Sequence, residues 1–351
     1  MIVFIAPFPA LSNEKDGMVQ RVASIDKLVN ELPRVYLDIS LRRFWSKRIH
    51  HFGGATVFQL HGLLHFFFII SWLRRASIVY IHSVMYSQNA LIAYWIAKPI
   101  TDLHGVVPEE SEYKGNRLRA IVYGIIELIA LHRSSAVIYV TSAMKCHFEK
   151  KYGRRTTPDL IIPIIQNNFD ERGQCENVLG AKRDSKRVIY AGGLQAWQNI
   201  AMMLDAAASV TQMNYVFLSG ESMELQHMAD SANVVSFKCS AVDPDCVPDH
   251  YLTCTYGFIL RENVLVNRVA CPTKLVEYMY WGVIPVVLTP NIGDFVELGY
   301  EFVTLDDFRK GHVPDDNKAS NMRAINRQVA ERLNATSEGE LLRLRKMLHH
   351  A

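Results

Sequence analysis

Residues 256–287 read YGFILRENVLVNRVACPTKLVEYMYWGVIPVV, a polar, partly basic loop and a charged helix set between two apolar runs. The run 257–260 is short, apolar and bounded by turn signals, which suits a strand buried on both faces of a parallel sheet; 283–288 repeats the pattern. Between them Pro272 marks a helix start, because the amide that proline lacks would have no helical partner there. Thr273 adds a hydroxyl beside the free amides, and such a helix end attracts anions. Lys274, Glu277, Tyr278 and Trp281 fall at i, i+3, i+4 and i+7 and so share one helix face, while Leu275, Val276 and Met279 point toward the sheet. The expected polar face joins a cation, a carboxylate and aromatic rings.

The same strand and helix alternation extends outward through the chain. Strand candidates at 2–6, 35–39, 56–60, 78–82, 100–103 and 136–140 alternate with helical segments at 19–32, 88–97, 118–132 and 144–152, as in a parallel sheet covered by helices. A loose stretch at 163–185, rich in Asn, Asp, Glu and Gly, interrupts the pattern, which restarts with strands at 187–191, 215–219, 234–237 and 302–305 and a helix at 200–209. The expectation is an α/β chain of two doubly wound, Rossmann-like domains facing each other across a cleft. Their bounds are read as 1–168 and 186–330, with a linker at 169–185 and a helical tail at 331–351 that caps the second domain or returns across the cleft.

The chain has 351 residues, 49% hydrophobic and 21% charged, enough for two full-sized cores. Residues 1–160 hold 20 Lys and Arg against 12 Asp and Glu, and the remainder 18 against 23. The basic first half favours peripheral contact with anionic lipid, and no basic run interleaved with aromatics suggests a nucleic-acid groove. Six cysteines show no metal-ligand spacing, and a chain of this size does not need disulfides, so a reducing cytoplasm fits best. The chain enters its first expected strand, 2–6, at once, so no leader segment is expected. The window 65–73 (HFFFIISWL) is far short of the ~20 residues a spanning helix requires. It reads as a buried helix under a sheet, with Arg74 and Arg75 at its end as the argument for an interfacial membrane contact instead. Asp243-Pro-Asp245 reads as a solvated loop, and no metal site is expected. Gly-x-Ser-x-Gly and Walker-type loops are absent, and strand 2–6 is followed by PFPALSNEKDG with no GxGxxG turn. Serine hydrolase and P-loop readings have no support, and a nicotinamide-dependent oxidoreductase is a distant third alternative.

Ligands of open parallel sheets bind beyond the carboxyl ends of the strands. There, Arg261, Arg268 and Lys274 supply three cations within fourteen residues, enough to neutralise a diphosphate, and Asn267 lies in the same loop. In YAGGLQAWQN, at 190–199, Gly192 and Gly193 let the backbone approach a phosphate, while Trp197 reads as packing. In DLHGVVPEE, at 102–110, His104 can bond a substrate or transfer a proton, and Glu110 or Glu109 can act as a base or hold an acceptor hydroxyl. The loop 12–21 (SNEKDGMVQR) follows the first strand, so Asp16 and Gly17 are candidates for an acceptor-facing wall.

The run Glu277-Tyr-Met-Tyr-Trp-Gly282-Val-Ile-Pro285-Val-Val is similar to the Glu-Ala-x-x-x-Gly-x-Pro-Val-Val signature of the retaining GT-B glycosyltransferases of family 4, and the order of elements resembles that family over nearly the whole chain. The resemblance implies that Glu277 holds the donor ribose, that Gly192-Gly193-Leu194 lies beneath the donor phosphates, and that the His104 loop faces the transferred sugar. Pro272-Thr-Lys274 resembles a branch found among bacterial surface-polysaccharide transferases. The family's second glutamate, eight residues before the ribose ligand, is Val269 here. Its usual Arg and Lys in the first turn of the second domain are Gly193 and Gln198. Arg261, Arg268 and Lys274 are expected to replace that clamp. The implied activity is transfer of a hexose-type sugar from a nucleotide diphosphate sugar to a glycan or lipid-linked acceptor in cell-surface polysaccharide synthesis, with retention and without metal or cofactor. It would take place in the cytoplasm, at the inner face of the membrane. The alternatives are a non-catalytic GT-B module that binds a sugar nucleotide or supports a partner, and a UDP-sugar epimerase.

Overall fold

The alternating apolar segments form two sheets in a computed structural model that describes residues 1–9, 17–165 and 178–349. Two units result: Met1–Ile164 with Thr336–Ala351, and Ile165–Ala335. Asp16 and residues 169–177 of the expected linker lie outside the described residues.

The first unit holds β1 (Ile2–Ile5), β2 (Arg34–Ser40), β3 (Arg48–Phe52), β4 (Ala55–His61), β5 (Ile78–His82), β6 (Ile100–Leu103), β7 (Ala136–Tyr139) and β8 (Asp159–Ile161) in the order β3-β4-β2-β1-β5-β6-β7-β8. All pairs are parallel except β3 with β4. Successive side chains point to opposite faces, and both faces are covered: Ile2 and Phe4 enter one core cluster, Val3 and Ile5 the other. This double burial is why the strands read as unbroken apolar runs. The order reverses between β1 and β5, the crevice where loops leave a doubly wound sheet.

The second unit holds β9 (Asp184–Ala191), β10 (Asn214–Leu218), β11 (Phe237–Ser240), β12 (Cys254–Ile259), β13 (Ile284–Val287) and β14 (Val303–Thr304), all parallel, in the order β11-β10-β9-β12-β13-β14. Its order reverses between β9 and β12. Strand β12 and the helix Thr273–Tyr280 arise from the stretch at 256–287, with Pro272 just ahead of the first helical residue as its proline chemistry requires.

Four local features differ from the sequence reading. Strand β3 is an added edge strand whose five residues are all exposed, so no buried alternation announced it. The expected helix at 88–97 is two short pieces, Val84–Ser87 and Ala93–Ile96. Pro99 stops the second, with Lys98 before it at φ +43°. The strand expected at 234–237 begins at Phe237, after Asn233 turns the backbone at φ +57°. The helix Phe66–Arg75 buries only Ile69 and Leu73 fully and turns Phe66 and Phe67 outward, so it is not the wholly buried helix expected. The C-terminal helix is one piece, Asp316–His349. Ala319 and Met322 belong to a core cluster of the second unit, Leu344 and Leu348 to one of the first.

Candidate functional site

In the second unit, the loops leaving β9 and β12 bring together most of the polar residues singled out in the sequence. Gly192 ends β9 with its amide donating to the Leu218 carbonyl. A Cβ there would meet the Lys274 Nζ at 2.6 Å and the Tyr190 hydroxyl at 3.0 Å. Glycine is favoured by the backbone, at φ +155°, and any side chain here would also have to displace the end of Lys274. Lys274 Nζ sits 3.7 Å from the centroid of the Tyr190 ring and donates to Gln198 Oε1 at 3.3 Å. Arg261 leads out of β12 and donates to Asn267 Oδ1 at 3.2 Å, while Asn267 Nδ2 is fixed by the Glu262 carbonyl at 2.9 Å.

The electrostatics of these groups are those of two buried cations with no direct ion pair among the described residues. Burial pushes the Lys274 amine well below its usual value, and the nearby Arg261 adds to the effect against the opposing pull of Glu277. Burial likewise brings the Arg261 guanidinium down to about 10. Burial raises the Glu277 carboxyl to about 7, although it accepts a hydrogen bond from the Tyr251 hydroxyl at 2.9 Å and feels Lys274. An anion arriving beside Lys274 and Arg261 would restore what burial has removed.

The expected mixed polar face of the helix Thr273–Tyr280 is narrower than the sequence suggested. Thr273, Lys274 and Glu277 keep partial access to solvent, but Tyr278 and Trp281 are core residues. Tyr278 lies against Gly257 of β12 and donates to the Ile189 carbonyl at 3.2 Å. Sheet and neighbouring elements close around the helix, so its aromatic positions face packing and not a ligand. Arg268 ends the one-turn helix Leu265–Arg268 and is exposed, whereas Asn267 beside it is buried. Gly193 closes the β9 turn by accepting the Tyr190 hydroxyl with its carbonyl, and the next amide, that of Leu194, donates to Glu221 Oε2 at 3.1 Å. Tyr190, Gln198, Glu221 and Tyr251 were not recognised as site residues from sequence. Tyr190 and Gln198 flank the glycine pair and carried a local signal; Glu221 and Tyr251 are brought in only by the fold.

In the first unit, His104 follows β6 and lies at the end of a buried polar chain. Its Nε2 is 3.2 Å from His82 Nε2, which also lies 3.1 Å from the Met18 carbonyl. The carbonyl can only accept, so a neutral His82 is assigned its proton on Nε2, one hydrogen shared between the Met18 carbonyl and His104 Nε2, with the bare Nδ1 3.6 Å from Asp102 Oδ2. Burial, reinforced by His104, lowers His82 to about 3 and keeps it neutral; burial also lowers His104. Below them Asp102 accepts from Arg21 Nε at 3.0 Å, from its NH2 at 3.2 Å and from the Tyr80 hydroxyl at 2.7 Å. Burial opposes that charge, but Arg21 and the two histidines outweigh it and hold the carboxyl well below the usual range.

The two glutamates after His104 separate cleanly. Glu109 bonds Lys151 Nζ at 2.7 Å and His147 Nε2 at 3.2 Å, which ties it into a structural ion network. Glu110 is raised by burial and lies so close to Gly105 that a Cβ there would meet its Oε1 at 2.4 Å. Gly17 begins the helix Gly17–Asp26.

The two units, one sheet parallel apart from its β3 edge and the other parallel throughout, each with a reversal of strand order at its centre, define a chain of two Rossmann-like domains. No protein-family model and no curated protein matches the sequence. Among solved structures, the chain is similar to sucrose-phosphate synthase from Thermosynechococcus elongatus, at 11% identity and TM-score 0.69, covering 99% of this chain and 98% of the other. It is similar to Anabaena HepE in complex with UDP and glucose, at 15% identity, TM-score 0.67 and 98% of both chains. A UDP-forming α,α-trehalose-phosphate synthase from Burkholderia vietnamiensis aligns at 9% identity and TM-score 0.62, again over 98% of both chains. The fold is that of the GT-B glycosyltransferases.

Proposed function

We propose that this chain is a glycosyltransferase that takes its sugar from a nucleotide diphosphate sugar. The observation that carries the reading is the pair Lys274 and Arg261. Both are depressed by burial and neither is in a salt bridge among the described residues, at the carboxyl ends of the strands where the second sheet reverses order. A diphosphate supplies the missing charge, and the leaving diphosphate is where charge grows most in the transition state. Lys274 reaching Gln198 supports its replacing the family's absent first-turn lysine. Gly192 and Gly193 leave room for the phosphates, Asn267 orients Arg261, Thr273 and the first amides of its helix face the same anion, and Glu277 holds ribose hydroxyls. Arg268 contributes from the exposed side of the loop.

In this reading His104 and Glu110 act from the first unit on the sugar or the acceptor hydroxyl, and Asp16 and Gly17 contribute to acceptor binding. The acceptor is a glycan or a lipid-linked sugar of cell-surface polysaccharide synthesis, the configuration is retained, and no metal or cofactor takes part. Retention and the polysaccharide role rest on the likeness of 277–287 and of Pro272-Thr-Lys274 to the family. A location at the inner face of the membrane rests on the basic first half.

The test is a thermal-shift titration with UDP, GDP, ADP and their sugars, since a ligand at 100 times its Kd stabilises by about 2.7 kcal/mol. One nucleotide series should raise the melting temperature. Lys274→Ala should weaken that response and the transfer rate by roughly tenfold to a hundredfold, the worth of a charge-assisted bond of ~1.5–3 kcal/mol. No shift with any nucleotide, or a folded Lys274→Ala chain that binds and turns over normally, refutes the donor site.

A further inference from the structure

The helix Arg117–Arg133 (RLRAIVYGIIELIALHR) has its apolar residues on both sides. Its inward face carries Tyr123, Ile126, Glu127, Ala130 and Leu131. Glu127 is its single carboxylate and is buried against Lys151 and Tyr152, which bond it at 2.8 Å each. Leu118, Ile121, Val122, Ile125 and Leu128 point outward at helical spacing, with Leu118 75%, Ile121 62% and Ile125 57% exposed. A helix on the surface of a soluble domain normally puts charges there. Here charges stand only at the ends of the stripe: Arg117 and Arg119 at its start, and Arg133 at its finish, 5.3 Å from the ring centroid of the exposed Trp95.

The surface continues beyond this helix. Ala93–Ile96 packs beside it and Phe66–Arg75 beside Ala93–Ile96, over one face of the first sheet, where Ile69, Leu73, Ala93, Tyr94 and Ala130 meet in a single core cluster. Their outward side adds Phe67, 84% exposed, and the exposed Arg74, Arg75 and Lys98. Residues 39–101 contain seven Lys and Arg and no Asp or Glu. Glu112, on the helix before Arg117, is an exposed carboxylate at this margin, next in sequence to the exposed Tyr113 and Lys114.

We propose that this helical layer is the surface by which the protein docks on an anionic phospholipid bilayer. The aliphatic stripe, Phe67 and Trp95 enter the headgroup region, and the arginines and lysines at its margin meet lipid phosphates, the two contributions that peripheral proteins combine. A folded partner or a second copy could cover an apolar stripe of this size. A cationic rim beside a stretch devoid of carboxylates matches the fixed negative charge of a bilayer more closely. The inference extends the membrane location proposed above to particular residues, and it stands or falls without reference to nucleotide.

The experiment is flotation of the full chain with vesicles of phosphatidylglycerol and phosphatidylcholine, and with phosphatidylcholine alone. Binding is expected to the anionic vesicles, weakening as salt is raised, with a blue shift in tryptophan emission that Trp95→Phe diminishes. Ile121→Glu with Ile125→Glu should lower the bound fraction at least about tenfold, because charges enter the lipid at the centre of the stripe. Arg117→Glu with Arg119→Glu should do so by a similar factor through the lost phosphate attraction. Circular dichroism shows whether each variant is folded, and Ile121→Ser with Ile125→Ser substitutes if the glutamates are not tolerated. Absence of binding to anionic vesicles, or undiminished binding by folded variants, overturns the proposal. So does a dimer, seen by light scattering in place of vesicle binding, that the same substitutions disperse.

Discussion

Glu277 sits where three influences meet: burial, the Tyr251 hydroxyl and Lys274. Because burial wins and raises it to about 7 from the usual 4.5, the folded chain keeps a proton that the unfolded chain has already lost. Stability contributed by this group is therefore full below the unfolded value and falls as pH rises from 4.5 through 7. Glu277→Gln should abolish that fall and leave the variant more stable than the parent at pH 8, by roughly 1–3 kcal/mol, when urea midpoints are compared across pH. Equal pH dependence in the two chains would show that the carboxyl is not held in this state. Lys274, Glu277 and Arg261 were legible in the sequence because helical spacing and a strand end fixed where each must lie. Arg268 shows the limit of that reading. Counting charges along 261–274 could not tell that one turn of helix buries Asn267 and sends Arg268 outward. The pairing of Tyr251 with Glu277 and of His82 with His104 spans 26 and 22 residues, and no local pattern encodes such contacts.

At the scale of elements, the helix Thr273–Tyr280 is held to β12 by a ring lying over a glycine. A Cβ on Gly257 would come within 2.4 Å of the Tyr278 ring. Gly257→Ala should cost about 1–3 kcal/mol of stability, the range for overpacking a filled core. It should also weaken nucleotide binding, since the displaced helix carries Lys274 and Glu277. A chemical-denaturation curve matching the parent would show that the ring moves aside freely. The sequence supplied this helix and its start, but put Tyr278 and Trp281 on a polar face, because spacing reports which residues share a side and not what that side meets. Strand β3 was invisible for the converse reason: all five of its residues are exposed, and its pairing with β4 is set by the turn at Gly53 and Gly54.

At the scale of the whole molecule, two doubly wound sheets followed from alternation, without their strand order and without β3, while the path of the C-terminus did not. The helix Asp316–His349 contributes Leu344 and Leu348 to a core of the first unit. A chain ending at Ala335 should therefore lose stability in that unit, by ~1.5–3 kcal/mol for each buried leucine, and keep the second unit intact. Calorimetry should resolve a lowered transition beside an unchanged one, and a single unaltered transition would contradict this division of the chain. The same helix fixes a sequence of events during translation. Strand β1 leaves the ribosome more than three hundred residues before the end of the helix Asp316–His349, and the apolar cluster around Ile2 and Phe4 stays incomplete until Leu344 and Leu348 emerge. The second unit is contiguous in sequence and waits for nothing downstream of Ala335. The half made first is finished last, so its unsealed sheet is exposed to aggregation, or to chaperones, for as long as the other half is being synthesised.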